Sequence, residues 1–290
     1  MSKPKLCVSF SGGKTSGFMA WWIKQNMAET HDLRFVFANT GLEHEKTLEF
    51  VERCDKEWSL GVEWVEAVPN HNERKGSGAR VVDFDSASRN GEPFEAVIQK
   101  YGISNQSYPH CTRELKANAI RSHLVESGWS GYQIAIGIRA DEIDRMQVDA
   151  RERRIIYPLI SQMPMDRAAV DRWWDRQEWN LEIPPYLGNC VTCWKKSDRK
   201  LLTIAQDDPH AFDFMRRMEE RYPLAGHNVD GTPRTFFRNH RTAAEIIARS
   251  RQPFTRWFEP AKSGELFDDE DMPNGCSDSC EVVWEGEDAA

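Results

Sequence analysis

The 290-residue sequence predicts an α/β protein: an open, mostly parallel sheet with helices on both faces, then a helical C-terminal extension and an acidic tail. Three observations lead there. Apolar strand-like runs alternate with helical patterns through the first hundred residues, which is how βαβ units read. The first run, Leu6–Phe10, passes through Ser11-Gly12-Gly13-Lys14-Thr15-Ser16 into a helical pattern. Three of the runs end in polar or glycine-containing turns, which is where ligands bind in such sheets.

In chain order, Leu6–Phe10 is the first strand and about Ser16–Gln25 its helix. Leu33–Gly41 is a second buried strand, followed by a helix on which Leu48, Val51 and Trp58 share a stripe. Gly61–Val68 alternates strictly and is the third strand, and the polar stretch from Pro69 to Ala79 reads as a mobile loop. A helix is expected over about Arg113–Val125, a strand over Tyr132–Ala140, and a helix carrying Trp173 and Trp174. Helices resume at about Asp207–Arg221, and Thr242 with Glu245 forms a capping box that opens AAEIIARS. This divides the chain into residues 1–200, a helical extension over 201–262 and a tail over 263–290.

Composition narrows the setting. No window approaches eighteen consecutive apolar residues and no signal core opens the chain, so no membrane span and a cytoplasmic protein are expected. Seven cysteines then favour metal or redox chemistry over disulfides. The net charge is −8, but the last 26 residues carry ten acids and no Lys or Arg, so the body before them is +2. Arg151, Arg153 and Arg154, and Lys195, Lys196, Arg199 and Lys200, read as solvated basic faces, with contact to a polyanion as the alternative.

The Gly-Lys-Thr at residues 13–15 is not a Walker loop. That loop needs a glycine five residues before Gly13, and Val8 stands there. What remains is a nest of amides at a helix N-terminus, which attracts anions through free N–H groups and the helix dipole. The turns Asn39-Thr40-Gly41 and Gly137–Arg145 end two further strands at the same sheet edge. Arg139 could bind two phosphate oxygens at once, or pair with Asp141, Glu142 or Asp144. Cys190 and Cys193 form C-x-x-C, whose thiolates can share a soft metal; a redox pair or two small buried residues are the other readings. His110, His123, His210, His227 and His240 read as surface or capping residues, while Cys7, Cys54, Trp173, Trp174 and Trp179 read as core.

The ordered set SFSGGKTS, FANTGLEHEKTLEF and IGIRADEIDR resembles the phosphoadenylylsulfate (PAPS) reductase family of the adenine-nucleotide alpha-hydrolase-like, or PP-loop, superfamily, over roughly residues 5 to 200. The family's loop reads S-G-G-x-D-S. Its second signature is N/D-T-G with a later threonine, matched by Thr47, and its third is a G-x-R element. The resemblance implies an adenine nucleotide such as ATP, held by Ser11, Gly12, Gly13, Lys14, Thr15, Ser16, Asn39, Thr40, Gly41, Gly137 and Arg139. Lys14 and Arg139 would be catalytic cations, with Mg2+ accompanying the phosphates. One departure matters: the loop acid of the family is Thr15 here, which puts nucleotide cleavage in question.

Cluster-bearing members of that family show a cysteine followed by a lysine and later a C-x-x-C, matched by Cys111, Lys116, Cys190 and Cys193. The resemblance thus implies a [4Fe-4S] cluster, with Cys111 also a catalytic residue; zinc and no metal are the other readings. The fourth ligand would be His110, which stands where reductases carry a second cysteine, or Cys276 or Cys280 of the tail, or none. Three functions follow. The first is ATP-dependent sulfur transfer, in which a nucleic-acid or small-molecule acceptor is adenylated and then thiolated, supplied by a sulfur donor or reductant protein. The second is thiol-dependent reduction of adenylylsulfate or phosphoadenylylsulfate, and the third a non-catalytic nucleotide-binding module.

Overall fold

Strands flanked by helices on both sides must be apolar on both faces, and in β1 (Lys5–Ser9) the four residues after Lys5 are all buried. The computed structural model describes residues 2–72, 75–228 and 231–258. With β2 (Asp32–Asn39), β3 (Val62–Val68), β4 (Gly78–Val82), β5 (Gln133–Ala135) and β6 (Ile155–Ile156), β1 forms a six-stranded sheet in the order β4-β3-β2-β1-β5-β6. Every neighbouring pair is parallel except β3 with β4. The chain builds outward from β1 through β2 and β3, then returns to the other side of β1 with β5. The carboxyl ends of β1 and β5 therefore flank a topological switch point, where open α/β sheets hold their ligands.

Alternation along the strands sorts two cores. Leu6, Val8, Phe35, Phe37 and Trp64 belong to one, covered by α1 (Lys14–Met27), α2 (Glu45–Trp58) and α6 (Arg167–Trp174) through Phe18, Ile23, Leu48, Val51 and Trp174. Cys7, Val36, Ala38, Val65 and Ile134 belong to the other, covered by α3 (Glu92–Tyr101), α4 (Asn118–Glu126), α7 (Asp198–Asp207), α8 (Asp213–Arg221) and α9 (Ala243–Ser250). The helices after residue 200 thus share a core with the sheet. A single turn, α5 (Pro158–Ser161), follows β6. The capping box of Thr242 and Glu245 opens α9 as expected, and Cys7, Cys54 and Trp174 are wholly buried. Among the described residues no helix is long and apolar enough to cross a membrane.

Several elements differ from expectation. Gly78–Val82 pairs antiparallel with β3, so the loop after Pro69 ends earlier than Ala79; the strand lies at the sheet edge with Val81 exposed, which hides its pattern. The strand expected over Tyr132–Ala140 pairs only at Gln133–Ala135, since the chain then turns into the site. The helix expected from Arg113 begins as a π-helix, Cys111–Ala117, before α4. The helix expected over about Asp207–Arg221 is α-helical only from Asp213, after a 3-10 turn at Pro209–Phe212, and an unexpected helix, Asp198–Asp207, ends just before Pro209, whose missing N–H cannot continue it. The expected tail over 263–290, with Cys276 and Cys280, lies outside the described residues.

Glu219 of α8 ties the extension together by accepting from the Phe236 N–H (3.1 Å) and the Ala243 N–H (2.9 Å). Burial pushes its carboxyl up to about 7; the two amides oppose the rise, and Glu245 and Glu220 add to it. The folded chain therefore holds this proton to higher pH than the unfolded chain, and the stability so gained is lost as pH rises toward 7. Glu219→Gln removes that loss. The unfolding free energy of the variant relative to the parent, from urea melts at pH 5 and pH 8, is expected to shift in the variant's favour by roughly 2 kcal/mol; an unchanged difference would contradict the assignment.

Candidate functional site

The turn after β1 is shaped for close approach. Gly12 is left-handed at φ +79°, and a β-carbon there would lie 2.6 Å from the Thr47 methyl and 3.1 Å from Val51. Gly13 is the N-cap of α1 and supplies no side chain, and no acid stands in the first turn. The first intrahelical bond in view is Gly17 N–H to Gly13 O at 2.9 Å, so the amides of Lys14, Thr15 and Ser16 face an anion position without an intrahelical acceptor. Ser11 donates to Ser16 Oγ (2.9 Å) and Ser16 to Gly13 O (3.0 Å), bracing the turn. The Trp174 indole donates to Lys14 O at 2.8 Å, fixing the helix start from α6. Among the described residues the Lys14 ammonium has no partner, and the buried Thr47 hydroxyl beside Gly12 has none either.

The second turn is held from below. Asn39 is fully buried and donates to Glu66 (2.6 Å) and to Ser88 O (2.9 Å), while its Oδ1 accepts from the Gly41 N–H (3.2 Å). Its side chain thus shapes the turn from within the protein. Thr40 donates through its hydroxyl and its N–H to Glu43 at 2.8 and 2.9 Å. Gly41, at φ +79°, packs against Gly91 and Pro93, and its carbonyl accepts from the Gly91 N–H (2.9 Å).

The third turn crosses the switch point. Gly137 lies against the backbone of Ser16, and Arg139, 3% exposed, donates to Thr15 Oγ1 at 3.2 Å. Of the expected roles of Arg139 the pairing with acids is present: the same guanidinium also meets Asp141 (3.0 and 3.1 Å) and Glu142 (3.4 Å). The Arg139 guanidinium helps hold Asp141 below the usual carboxylate range against the opposing effect of burial. The hydroxyl of Thr15 stands where an acid would have neutralised Arg139, and Asp141 and Glu142 supply that charge from the neighbouring turn.

The C-x-x-C segment docks onto these turns. Asn189 donates to Ser11 O at 2.8 Å, and Asn189 O accepts from the His44 N–H at 3.0 Å. Glu43, which caps Thr40, pairs with Cys190 in a single antiparallel bridge. Cys193 N–H returns to Cys190 O at 3.3 Å, a tight turn that keeps the two cysteines together. Asn189 and Glu66 carry no signal in the sequence, because their partners are distant along the chain.

Among the described residues no three histidine, cysteine, aspartate or glutamate side chains stand close enough to hold a metal ion. Cys111 begins the π-helix, Cys193 is buried with Trp194 in the core, and the His110 ring lies between Tyr101 and Tyr108 at 5.8 and 6.1 Å. Burial, then Arg113 and Arg234, lower the pKa of His110. Cys276 and Cys280, the other expected ligands, lie outside the described residues. No preformed carboxylate cage for Mg2+ exists among the described residues either, since Asp141 and Glu142 are engaged by Arg139. A hollow lined by Lys3, Lys5 and Lys24 opens at the amino ends of β1 and β2, away from these turns; its three ammonium groups are spent on the carbonyls of Ala28, Ser130 and Ser59.

Residues 5–154 match the family model of the phosphoadenosine phosphosulfate reductase domain. The uncharacterized nin region protein ORF290 of Escherichia phage lambda is 28% identical over 284 residues, covering 95% of this chain and 94% of that protein. The solved structure of the U34-tRNA thiolase NcsA from Methanococcus maripaludis, with its [4Fe-4S] cluster, aligns at a TM-score of 0.40 and 13% identity, over 87% of this chain and 72% of that one. That likeness is too loose to bear on mechanism.

Proposed function

The chain belongs to the phosphoadenosine phosphosulfate reductase family, and on that premise we propose that it is an enzyme acting on sulfur, binding ATP at the Ser11–Ser16 turn and transferring sulfur through Cys190 and Cys193. The observation that carries this reading is the bond from Asn189 to Ser11 O at 2.8 Å, which joins the C-x-x-C segment to the nucleotide turn. A thiol pair held against that turn is suited to chemistry on whatever the nucleotide activates.

In this reading the free amides of α1 and the Lys14 ammonium take the phosphates, and Arg139 adds a second cation at the switch point. An acceptor oxygen attacks the α-phosphate and pyrophosphate leaves, which converts a poor leaving group into AMP. A persulfide on Cys190, loaded by a sulfur donor protein, attacks the adenylated carbon, and AMP leaves with the oxygen. Cys193 thiolate then attacks the Cys190 sulfur, which releases the thiolated acceptor and forms the Cys190–Cys193 disulfide. A dithiol reductant returns both thiols. No step requires an iron–sulfur cluster.

The test is pyrophosphate and AMP release from ATP, beside sulfite release from adenylylsulfate, in the parent, Lys14→Ala and Cys193→Ser. Pyrophosphate release that falls roughly a hundredfold in Lys14→Ala is the expected result. Sulfite from adenylylsulfate, abolished by Cys193→Ser, would replace sulfur transfer with reduction. ATP binding with neither product would leave only a nucleotide-binding module.

A further inference from the structure

The last described residues run back along α7. Arg256 pairs with Asp207 at 2.6 Å, the Trp257 N–H donates to Thr203 Oγ1 at 2.9 Å, and Arg199 donates to Arg256 O at 3.2 Å. Asp207, Thr203 and Arg199 are spaced by four residues, so these contacts follow one helix face from its C-terminal end toward its start. Lys200 lies over the Trp257 ring at 5.1 Å, and the Arg199 guanidinium over the Phe258 ring at 5.6 Å. At Phe258, 61% exposed, the chain has therefore reached the first turn of α7.

That turn carries a basic face. Residues 195–200 hold Lys195, Lys196, Arg199 and Lys200 against one acid, Asp198, which Arg241 takes at 2.7 Å. Arg238 donates to Lys195 O at 3.1 Å and joins the same face. Residues 259–290, outside the described ones, hold eleven acids and one lysine, and four of the acids are consecutive, Asp268-Asp269-Glu270-Asp271. Asp268 is the tenth residue after Phe258, a tether that spans up to about 33 Å, and every cation between Lys195 and Lys200 lies within a few residues of Arg199. An isolated exposed ion pair is weak, but a tethered run meets several cations at once, at an effective concentration in the millimolar range. Charge complementarity and the place where the chain arrives thus favour this run as the occupant over a second copy or an external polyanion.

We propose that the acidic run Asp268–Asp271 docks on the face formed by Lys195, Arg199, Lys200 and Arg238, and shields it from other polyanions. The face begins two residues after Cys193, so the docked run borders the C-x-x-C turn. This contact goes beyond the sulfur-transfer reading and does not depend on it.

The experiment couples contacting carboxylates and amines of the full chain with a water-soluble carbodiimide, at about 50 and 500 mM salt, and locates the joined peptides by mass spectrometry. A variant carrying Asp268→Asn, Asp269→Asn, Glu270→Gln and Asp271→Asn is compared with the parent, and both are titrated with labelled inorganic polyphosphate. In the parent, joints from the acidic run to Lys195 or Lys200 are expected within single chains, falling about fivefold at the higher salt. The neutralised variant should bind polyphosphate roughly tenfold more tightly, since no tethered competitor remains. Adding Arg199→Gln and Lys200→Gln to it should remove that gain, with urea melts checking that each chain is folded. Coupling of the run only to other lysines, only between two chains, or equally at both salts overturns the proposal. So does a neutralised variant that binds polyphosphate no better than the parent, because the run then shields nothing. A gain that survives Arg199→Gln and Lys200→Gln puts the shielded face elsewhere and overturns it too. Neither readout needs turnover, so an enzyme that released no pyrophosphate would sink the catalytic reading and leave this result standing.

Discussion

Gly12→Ala is expected to lower the unfolding free energy by roughly 2–4 kcal/mol and to weaken ATP binding by more than tenfold. Two effects add. A left-handed backbone at φ +79° costs an alanine about 1–2 kcal/mol. The new methyl would also come within 2.6 Å of Thr47, a fully buried β-branched residue with few alternative rotamers, and within 3.2 Å of Phe37. Since α2 and β2 cannot yield, the turn must shift and carry the first amides of α1 away from their anion position. Gly61→Ala isolates the first effect: Gly61 is also left-handed, at φ +70°, but nothing lies within 4 Å of its β-carbon position. Urea melts should show Gly61→Ala costing only the backbone share, with ATP affinity intact by calorimetry. Gly12→Ala binding ATP as tightly as the parent would remove the turn from the site.

The contrast between these glycines shows what the sequence could and could not disclose. Ser11-Gly12-Gly13 is legible because its constraint is local: a buried strand must turn into a helix within three residues. Asn39-Thr40-Gly41 and Gly137–Arg139 are legible for the same reason. The strands β1 to β3 follow from their own apolar runs, whereas β4 shows no clear alternation because one edge strand has only one partner. α3 and α7 are not expected from the sequence; Pro93 opens the first and the Ser197 hydroxyl caps the second, cues too short to mark a helix by themselves. The docking of Asn189 on Ser11, 178 residues away, has no trace in either segment. Thiol spacing brings together only Cys190 and Cys193; Cys111 enters through the family resemblance, and it opens the π-helix.

Glu66→Ala should cost roughly 3–5 kcal/mol of stability, although the residue touches no part of the proposed nucleotide. Glu66 is wholly buried in β3 and accepts five hydrogen bonds, from Asn39 (2.6 Å), Ser88 N–H (2.6 Å), Ser88 Oγ (3.0 Å) and twice from Arg80 (3.0 and 2.6 Å). Truncation leaves the Asn39 amide and the Ser88 N–H without acceptors in the interior, and opens a cavity between β3 and the second turn. Arg80 decides the size of the milder change. Its side chain is 54% exposed, so water can take over its charge once the carboxylate is neutralised. Glu66→Gln, which keeps the shape, should therefore cost only about 1–2 kcal/mol. The effect also reaches the site: Asn39 freed from Glu66 no longer fixes the acceptor that holds the Gly41 N–H, so the turn at Thr40 loosens and ATP affinity falls with stability. Urea denaturation and calorimetry on the two variants check the order. A Glu66→Ala loss below about 1 kcal/mol would mean that water enters this network, and that the second turn is held from the α2 side by Glu43 instead.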